Sequence, residues 1–466
     1  MLTEASEASR RPTVAIVGAG ASGMLTAAHL LRAASARATA VRAVLIDRNA
    51  GSGGVAYSTN NPDHRLNVTA ARMSAFPDRS TDFVSWRAHE SGDRDPGAYA
   101  ARSEFRQYLD DVVATARRAA APDVELARVT ANVAGIDLQA RGLRLRLQDG
   151  VTLDADAAVL ALGNQAPLPP TGADELLGHA AYVNDPWAQG ALERLAPGGG
   201  LVVLIGTGLT MVDVAIELAS RHPRAQLLAV SRSGLLPRAH SAGRIEPQVG
   251  DHAGDPDESF AELVDAILAQ SAAGSRHWHQ LVDELRPRTQ TLWRRLSTEE
   301  RADFLDTRHR AWCVHRHRMP PQVAAALAQL IGDGSLKVRS GSVELTPAGP
   351  RAVEASVSGA ARRQAAIAIN CTGPSLDPRT NGDRLVQQLL ADGLVRAHPV
   401  GVGFDTAEDG AFRSRDGVRS VRLFTLGPPR IGELYETTAI PEIREQAQAL
   451  ADTIVSRLTA TTARAA

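Results

Sequence analysis

Apolar positions along the chain fall twice into one order: a compact apolar run, a glycine turn, then apolar residues at helical spacing. The first instance begins at Val14–Val17, passes through Gly18-Ala19-Gly20-Ala21-Ser22-Gly23 and continues as a helix from Met24 to about Ala34. A further run, Val44–Ile46, ends at Asp47, 24 residues past the last glycine and near the ~20 expected of a ribose-binding acid. Strand, glycine turn, helix and a strand-end acid are the parts of a dinucleotide-binding βαβ unit. The order recurs at Leu201–Ile205, Gly206-Thr207-Gly208 and a helix from Leu209 to Ala219, followed by the run Leu227–Val230 and Ser231-Arg232-Ser233. Two more strands, Ala157–Leu160 leading to Gly163 and Ala365–Asn370 leading to Gly373, bracket this second unit. The bracketing predicts an α/β fold of two Rossmann-like domains, the second inserted into the first. The boundaries expected are a loose tail over 1–11, a first domain over 12–185 and 361–466, and a second over 198–345. A helical insertion is expected at about 256–330. A last strand at Val421–Thr425 and a helix from Pro441 to about Leu458 close the chain.

The glycines carry the chemistry. Gly18 permits the tight turn, Gly20 lets the backbone approach a pyrophosphate, and Gly23 allows close packing of helix on strand. The helix N-terminus, with Ser22 in its first turn, then offers N–H groups to the anion. In the second turn Met211 stands where the third glycine would be, while Gly206 and Gly208 are retained. Arg232 ends the next strand, where an enzyme using NAD commonly has an acid; a guanidinium there suits the 2′-phosphate of NADPH. The alternative is a solvated strand-end cation.

Composition narrows the chemistry. The 466 residues carry 51 Lys and Arg against 52 Asp and Glu, so no global field draws nucleic acid or an acidic membrane. Lysine occurs once, as Lys337, which makes a lysine Schiff base improbable chemistry for this chain. Cys313 and Cys371 are the two cysteines and form no Cys-x-x-Cys, which excludes a redox-active dithiol of that kind and a cysteine-rich zinc site. No apolar run approaches the ~20 residues of a membrane span, and the first ten residues lack the apolar centre of a signal peptide. A cytoplasmic protein is expected. The segment from Arg308 to Arg318 is rich in Arg and His. As a helix it puts Arg308, Trp312 and Arg316 on one face, either a clamp for a substrate carboxylate or phosphate or an outer face with Trp312 packed inward. His315-x-His317 lacks the further ligands of a metal site.

The two glycine turns, the strand ends Leu160–Gly163 and Asn370–Gly373, and Leu426-Gly427-Pro428 resemble the two-dinucleotide flavoproteins. More closely, the chain resembles an NAD(P)/FAD-binding family related to flavin-containing and N-hydroxylating monooxygenases. Further likeness lies in Gly53–Tyr57, Leu66–Val68, Arg72–Pro77, His315–Pro320 and Thr437–Arg444. The resemblance implies that FAD binds the first domain through Gly18, Gly20, Gly23 and Asp47, with Ala56, Tyr57, Asn67 and Met73 beside the isoalloxazine. Gly163 and Gly373 would end cofactor-facing strands. Gly427 and the start of the last helix would face the flavin pyrimidine, where a helix dipole favours negative charge. The inserted domain would bind NADPH. The implied activity is a monooxygenase in which a C4a-hydroperoxyflavin, formed with O2, oxygenates a small polar or anionic substrate, most naturally at an amine nitrogen. Two alternatives stay open: an NAD(P)H-dependent flavoprotein reductase serving a quinone or protein acceptor, and a nucleotide-binding protein without turnover.

Overall fold

A computed structural model describes residues 11–49, 53–195, 199–241 and 259–465. Of the expected tail, only Arg11 lies among them. The chain forms two compact units: one takes in the chain to Asn60, Val68–Asn164 and everything from Leu376, and the other Asn61–Asn67 and Gln165–Ser375.

The first unit is built on a six-stranded sheet. Its strands are β1 (Thr13–Val17), β2 (Val41–Asp47), β3 (Val124–Thr130), β7 (Ala157–Leu160), β16 (Ala411–Arg413) and β17 (Arg419–Thr425), in the order β16-β17-β7-β1-β2-β3. All neighbours are parallel except β16 and β17. β1 is central and buried at every position, as expected for a parallel strand covered on both faces. Helix α1 (Ala21–Ala36) packs on the long final helix, which spans Ile440–Ala465, and on α4 (Arg102–Arg118). Short α2 (Gly54–Tyr57) and α3 (Asp82–Glu90) lie between. A small antiparallel sheet of β4 (Val133–Leu138), β5 (Leu143–Leu147) and β6 (Thr152–Ala155) is amphipathic: in Leu143-Arg-Leu-Arg-Leu147 the leucines are buried and the arginines exposed.

The second unit has a parallel five-stranded sheet made of β8 (Tyr182–Val183), β9 (Gly200–Ile205), β10 (Ala225–Ser231), β11 (Leu336–Ser340) and β15 (Ile367–Asn370), in the order β11-β10-β9-β15-β8. Helix α5 (Leu209–Arg221) follows β9. A helical lobe follows: α6 (Phe260–Ala272), α7 (Trp278–Leu285), α8 (Thr289–Arg295), α9 (Thr298–Thr307), α10 (His309–Arg316) and α11 (Pro321–Gly332). A three-stranded antiparallel sheet, β12 (Val343–Pro347), β13 (Val353–Val357) and β14 (Arg363–Ala365), leads into β15. Back in the first unit, α12 (Arg384–Ala391) and α13 (Ile431–Leu434) precede α14, the final helix.

The insertion expected from the sequence is present, but its limits differ. The return strand β15 pairs with β9, from Ile367 beside Val202 to Asn370 beside Ile205, and β8 pairs with β15. Residues 165–185 and 361–375 therefore belong to the second unit. The reason is symmetry of construction: a central parallel strand needs a neighbour on each side, and β15 does for β9 what β7 does for β1.

Candidate dinucleotide sites

The three glycines of the first turn do different work. Gly18 has φ +106°, and a Cβ there would lie 2.4 Å from the Ala161 carbonyl oxygen. A Cβ on Gly23 would lie 1.8 Å from the Gly18 oxygen. Both distances are impossible, so these two glycines serve the packing of α1, β1 and the end of β7. Gly20 caps α1 in an ordinary extended conformation, and its Cβ would meet nothing closer than the Gly54 Cα at 3.6 Å. Its missing side chain keeps a space clear at a helix start that no side chain caps. Asp47, at the end of β2, accepts the N–H groups of Ala19 at 2.6 Å and Asn49 at 2.9 Å, one on each carboxylate oxygen. Each oxygen keeps a lone pair for a ribose hydroxyl.

The far end of this turn meets the last strand. Gly427 follows β17 at φ +72°, and a Cβ there would come within 2.8 Å of the buried Ser22 hydroxyl. Its N–H donates to Gln446 Oε1 at 3.0 Å, and its carbonyl accepts from Thr437 Oγ1 at 3.0 Å. The segment between β17 and α14 is thereby tied to the first turns of that helix. Gly163 stands after β7 at φ +64° with no atom within 4 Å of a Cβ. Ala56 and Tyr57 end α2; the Tyr57 ring lies 5.0 Å from Phe105, and burial pushes its phenol up to about 12. Met73 is buried directly after a short turn, Ala70–Arg72. Asn67 groups with the second unit, where its carbonyl accepts from His240 Nε2 at 3.0 Å.

The second turn repeats the design with one change. Gly206 has φ +114°, and a Cβ there would meet the Cys371 oxygen at 2.5 Å, as Gly18 would meet Ala161. Gly208 caps α5, extended and with nothing within 4 Å of a Cβ; Gly373, after β15 at φ +88°, likewise has nothing within 4 Å of a Cβ. Met211 enters the core of the unit in place of a third glycine. Arg232, just past β10, is exposed and has no ion-pair partner among the described residues. Arg310 on α10 is its neighbour in charge: burial and the Arg232 cation both hold the Arg310 guanidinium below its usual range. Arg310 thus lies within the field of Arg232, and the sequence motif pointed only to the latter.

The Arg308, Trp312 and Arg316 stripe is corrected. Arg308 is held by Asp265 at 3.0 Å and Asp303 at 2.8 Å, and Trp312 is buried against Phe260 in the helical lobe. Arg316 is buried as well. The face is packing and ion pairing, with no open clamp. Among the described residues no three metal-ligating side chains gather, and no helix is long and apolar enough to cross a membrane.

Two Rossmann units, the second inserted in the first and each with its own glycine turn, define the class: a two-dinucleotide flavoprotein fold. Residues 15–165 match the family model described as FAD-NAD(P)-binding, which assigns that cofactor pair to the chain. Among solved structures the chain is similar to an ornithine N-hydroxylase of Kutzneria sp. 744, at 16% identity over 96% of this chain and 100% of that one, with a TM-score of 0.65. It is also similar to the ornithine hydroxylase of Pseudomonas aeruginosa, at 15% identity, the same coverage of both chains and a TM-score of 0.64. The L-lysine 6-monooxygenase of Pseudomonas syringae, at 17% identity, likewise covers 96% and 100%, with a TM-score of 0.61. At these identities the likeness establishes a shared fold. No curated protein matches the chain in sequence.

Proposed function

We propose that this protein is an NADPH- and FAD-dependent monooxygenase that hydroxylates the amine nitrogen of a small polar or anionic substrate. The observation that carries the reading is the pair of glycine turns on a fold shared with ornithine and lysine hydroxylases, in a chain whose two cysteines are both free. Cys371 is fully buried at the end of β15, its thiol pushed up by burial, and Cys313 sits half-buried on α10.

The residues fit the cofactors. Gly20 leaves room for a pyrophosphate at the start of α1, Asp47 has lone pairs for the ribose, and Gly427 presses on Ser22 where any side chain would intrude. Ala56, Tyr57, Met73 and Gly163 line the remainder of the flavin site in this reading, with Asn67 beside it. Gly206, Gly208 and Gly373 frame the pyrophosphate of NADPH, and Arg232 with Arg310 takes its 2′-phosphate. Bound flavin supplies hydride acceptance from NADPH and the activation of O2. The protein's share is position and electrostatics: helix starts for the phosphates, a carboxylate for the ribose, and desolvation at Tyr57, which keeps its proton.

The test is anaerobic reduction by NADPH followed by mixing with oxygenated buffer and a set of small diamines and amino acids. Oxygen consumption matched by hydroxylamine product supports the reading. Oxygen consumption matched entirely by hydrogen peroxide supports a reductase or oxidase, and absence of reduction supports a nucleotide-binding protein without turnover.

A further inference from the structure

The second unit contains a cavity of about 400 Å³ that the cofactor assignment does not use, bounded by Arg238–Ser241, the end of α6 and the start of α7. That volume suits a small molecule. Arg238 is fixed through its backbone, its N–H donating to the Val314 carbonyl at 2.9 Å and its carbonyl accepting from Met319 at 2.7 Å. Its guanidinium is exposed and, like that of Arg276 across the cavity, has no partner among the described residues. No acidic side chain among the described residues lines the cavity.

The imidazoles behind these arginines have assignable protons. A guanidinium can only donate, so the buried Arg318 donates through Nη1 to His279 Nδ1 at 3.1 Å, leaving the His279 proton on Nε2. Arg318 is compensated by Asp283 on α7. His240 donates from Nε2 to the Asn67 carbonyl. His315 donates from Nδ1 to the Ala311 carbonyl at 2.8 Å, so its Nε2 accepts the Ser271 hydroxyl at 2.9 Å. Burial and the neighbouring Arg318 push His240 and His279 down to about 4, so both are neutral at pH 7. The lone pairs of His279 and His315 are spent, which leaves no ligand set for a metal. The cavity is lined by two cations that have no partner among the described residues, by His240, by the hydroxyl-bearing Ser241, Ser271 and Ser275, and by the Trp278–His279 rings, stacked 3.6 Å apart.

We propose that this cavity is an oxyanion-binding site, in which Arg238 and Arg276 hold the carboxylate or phosphate of a small molecule whose flat or apolar part rests on Trp278. Paired guanidiniums recognise a planar or tetrahedral oxyanion by charge-assisted hydrogen bonds, and an apolar ring beside them adds contact area. Neither Arg232 nor Arg310, to which the 2′-phosphate of NADPH is assigned above, lines this cavity, so it would be a second anion site.

The experiment is a 19F NMR titration of the full chain labelled with 5-fluorotryptophan, the Trp278 signal being identified by Trp278→Phe. Inorganic phosphate and succinate are the probes. The Trp278 signal is expected to move saturably with at least one probe while the other tryptophans stay still. Arg238→Gln combined with Arg276→Gln should raise the half-saturating concentration about tenfold or more, and the double lysine variant should retain part of the affinity. Both arginines are exposed, so these chains fold. Tighter binding of phosphate points to a phosphorylated ligand, and tighter binding of succinate to a carboxylate. If NADP+ displaces phosphate from the Trp278 signal, the cavity belongs to the cofactor's own site and the proposal of a second anion site fails; phosphate binding that persists with NADP+ present supports it. A Trp278 signal that neither probe moves saturably, or that titrates identically in the glutamine variant, overturns the proposal.

Discussion

Gly20 and Gly23 are three residues apart, yet substituting them should have opposite consequences. A Cβ on Gly23 collides with the Gly18 backbone at 1.8 Å, so Gly23→Ala must push α1 off β1 and should yield little folded protein. A Cβ on Gly20 meets nothing closer than the Gly54 Cα at 3.6 Å, an ordinary contact, and its extended backbone accepts any residue. Gly20→Val should therefore fold and melt within a few degrees of the parent while losing most of its FAD, read as the ratio of flavin to protein absorbance. Arg232 provides a second test at this scale. A charge-assisted contact contributes ~1.5 to 3 kcal/mol, so Arg232→Ala should weaken NADPH binding about tenfold or more and leave NADH unchanged. Arg310→Ala should act in the same direction, because its guanidinium lies in the field of Arg232. Equal loss for both nucleotides in calorimetric titrations would make the two arginines structural.

At the scale of elements, α10 shows how far a helical pattern reaches. Arg308, Trp312 and Arg316 share a face by spacing alone, but spacing cannot say whether that face meets solvent or core. The acids that neutralise Arg308 are Asp303 on α9 and Asp265 on α6, and only tertiary structure brings the second of them there. Arg308→Ala should cost less than ~1 kcal/mol, as exposed ion pairs do. It should leave the KM for the amine substrate unchanged. Trp312→Ala removes a buried ring packed on Phe260 and should cost ~3 to 5 kcal/mol, measured by urea unfolding. The glycine turns were legible because left-handed backbone and close approach exclude other residues, and Asp47 because strand and acid fell at the required separation. The allegiance of β15 was not legible. An apolar strand ending in Cys371-Thr372-Gly373 reads the same whichever sheet receives it, and its partner β9 lies some 160 positions upstream, a pairing that local pattern cannot specify. The cluster of His240, His279, His315 and Arg318 was hidden for the same reason.

For the whole molecule, the histidines set a pH response. His29, in the first unit, donates to the Ala75 carbonyl and is pushed down to about 4 by burial, and His240 and His279 share that value in the second. Each is neutral when folded and binds its proton near pH 6.5 when unfolded. Protons are thus taken up on unfolding between about pH 6.5 and about 4, so stability is present above that window and is lost as pH falls through it. The midpoint of urea unfolding should drop between pH 7.5 and pH 5, with up to ~3 kcal/mol from His29 at full protonation of the unfolded chain. His29→Gln, which keeps a donor and removes the titration, should flatten the slope. The chain path has an evolutionary corollary. Where the second unit begins and ends, the Ser375 N–H donates to the Ala166 carbonyl at 3.3 Å, so its two termini are neighbours. A stretch of gene encoding about 210 residues could thus have entered, or could be lifted out, with its ends already side by side. The seven residues from Asn61 to Asn67 complicate such a transplant. They belong to the same unit but are encoded a hundred codons earlier, and they bring buried His64 to 3.2 Å from the buried Glu217 carboxylate on α5. A graft of 165–375 alone leaves that acid with Arg221 but without its imidazole, so a transplant that keeps the pair must carry both stretches.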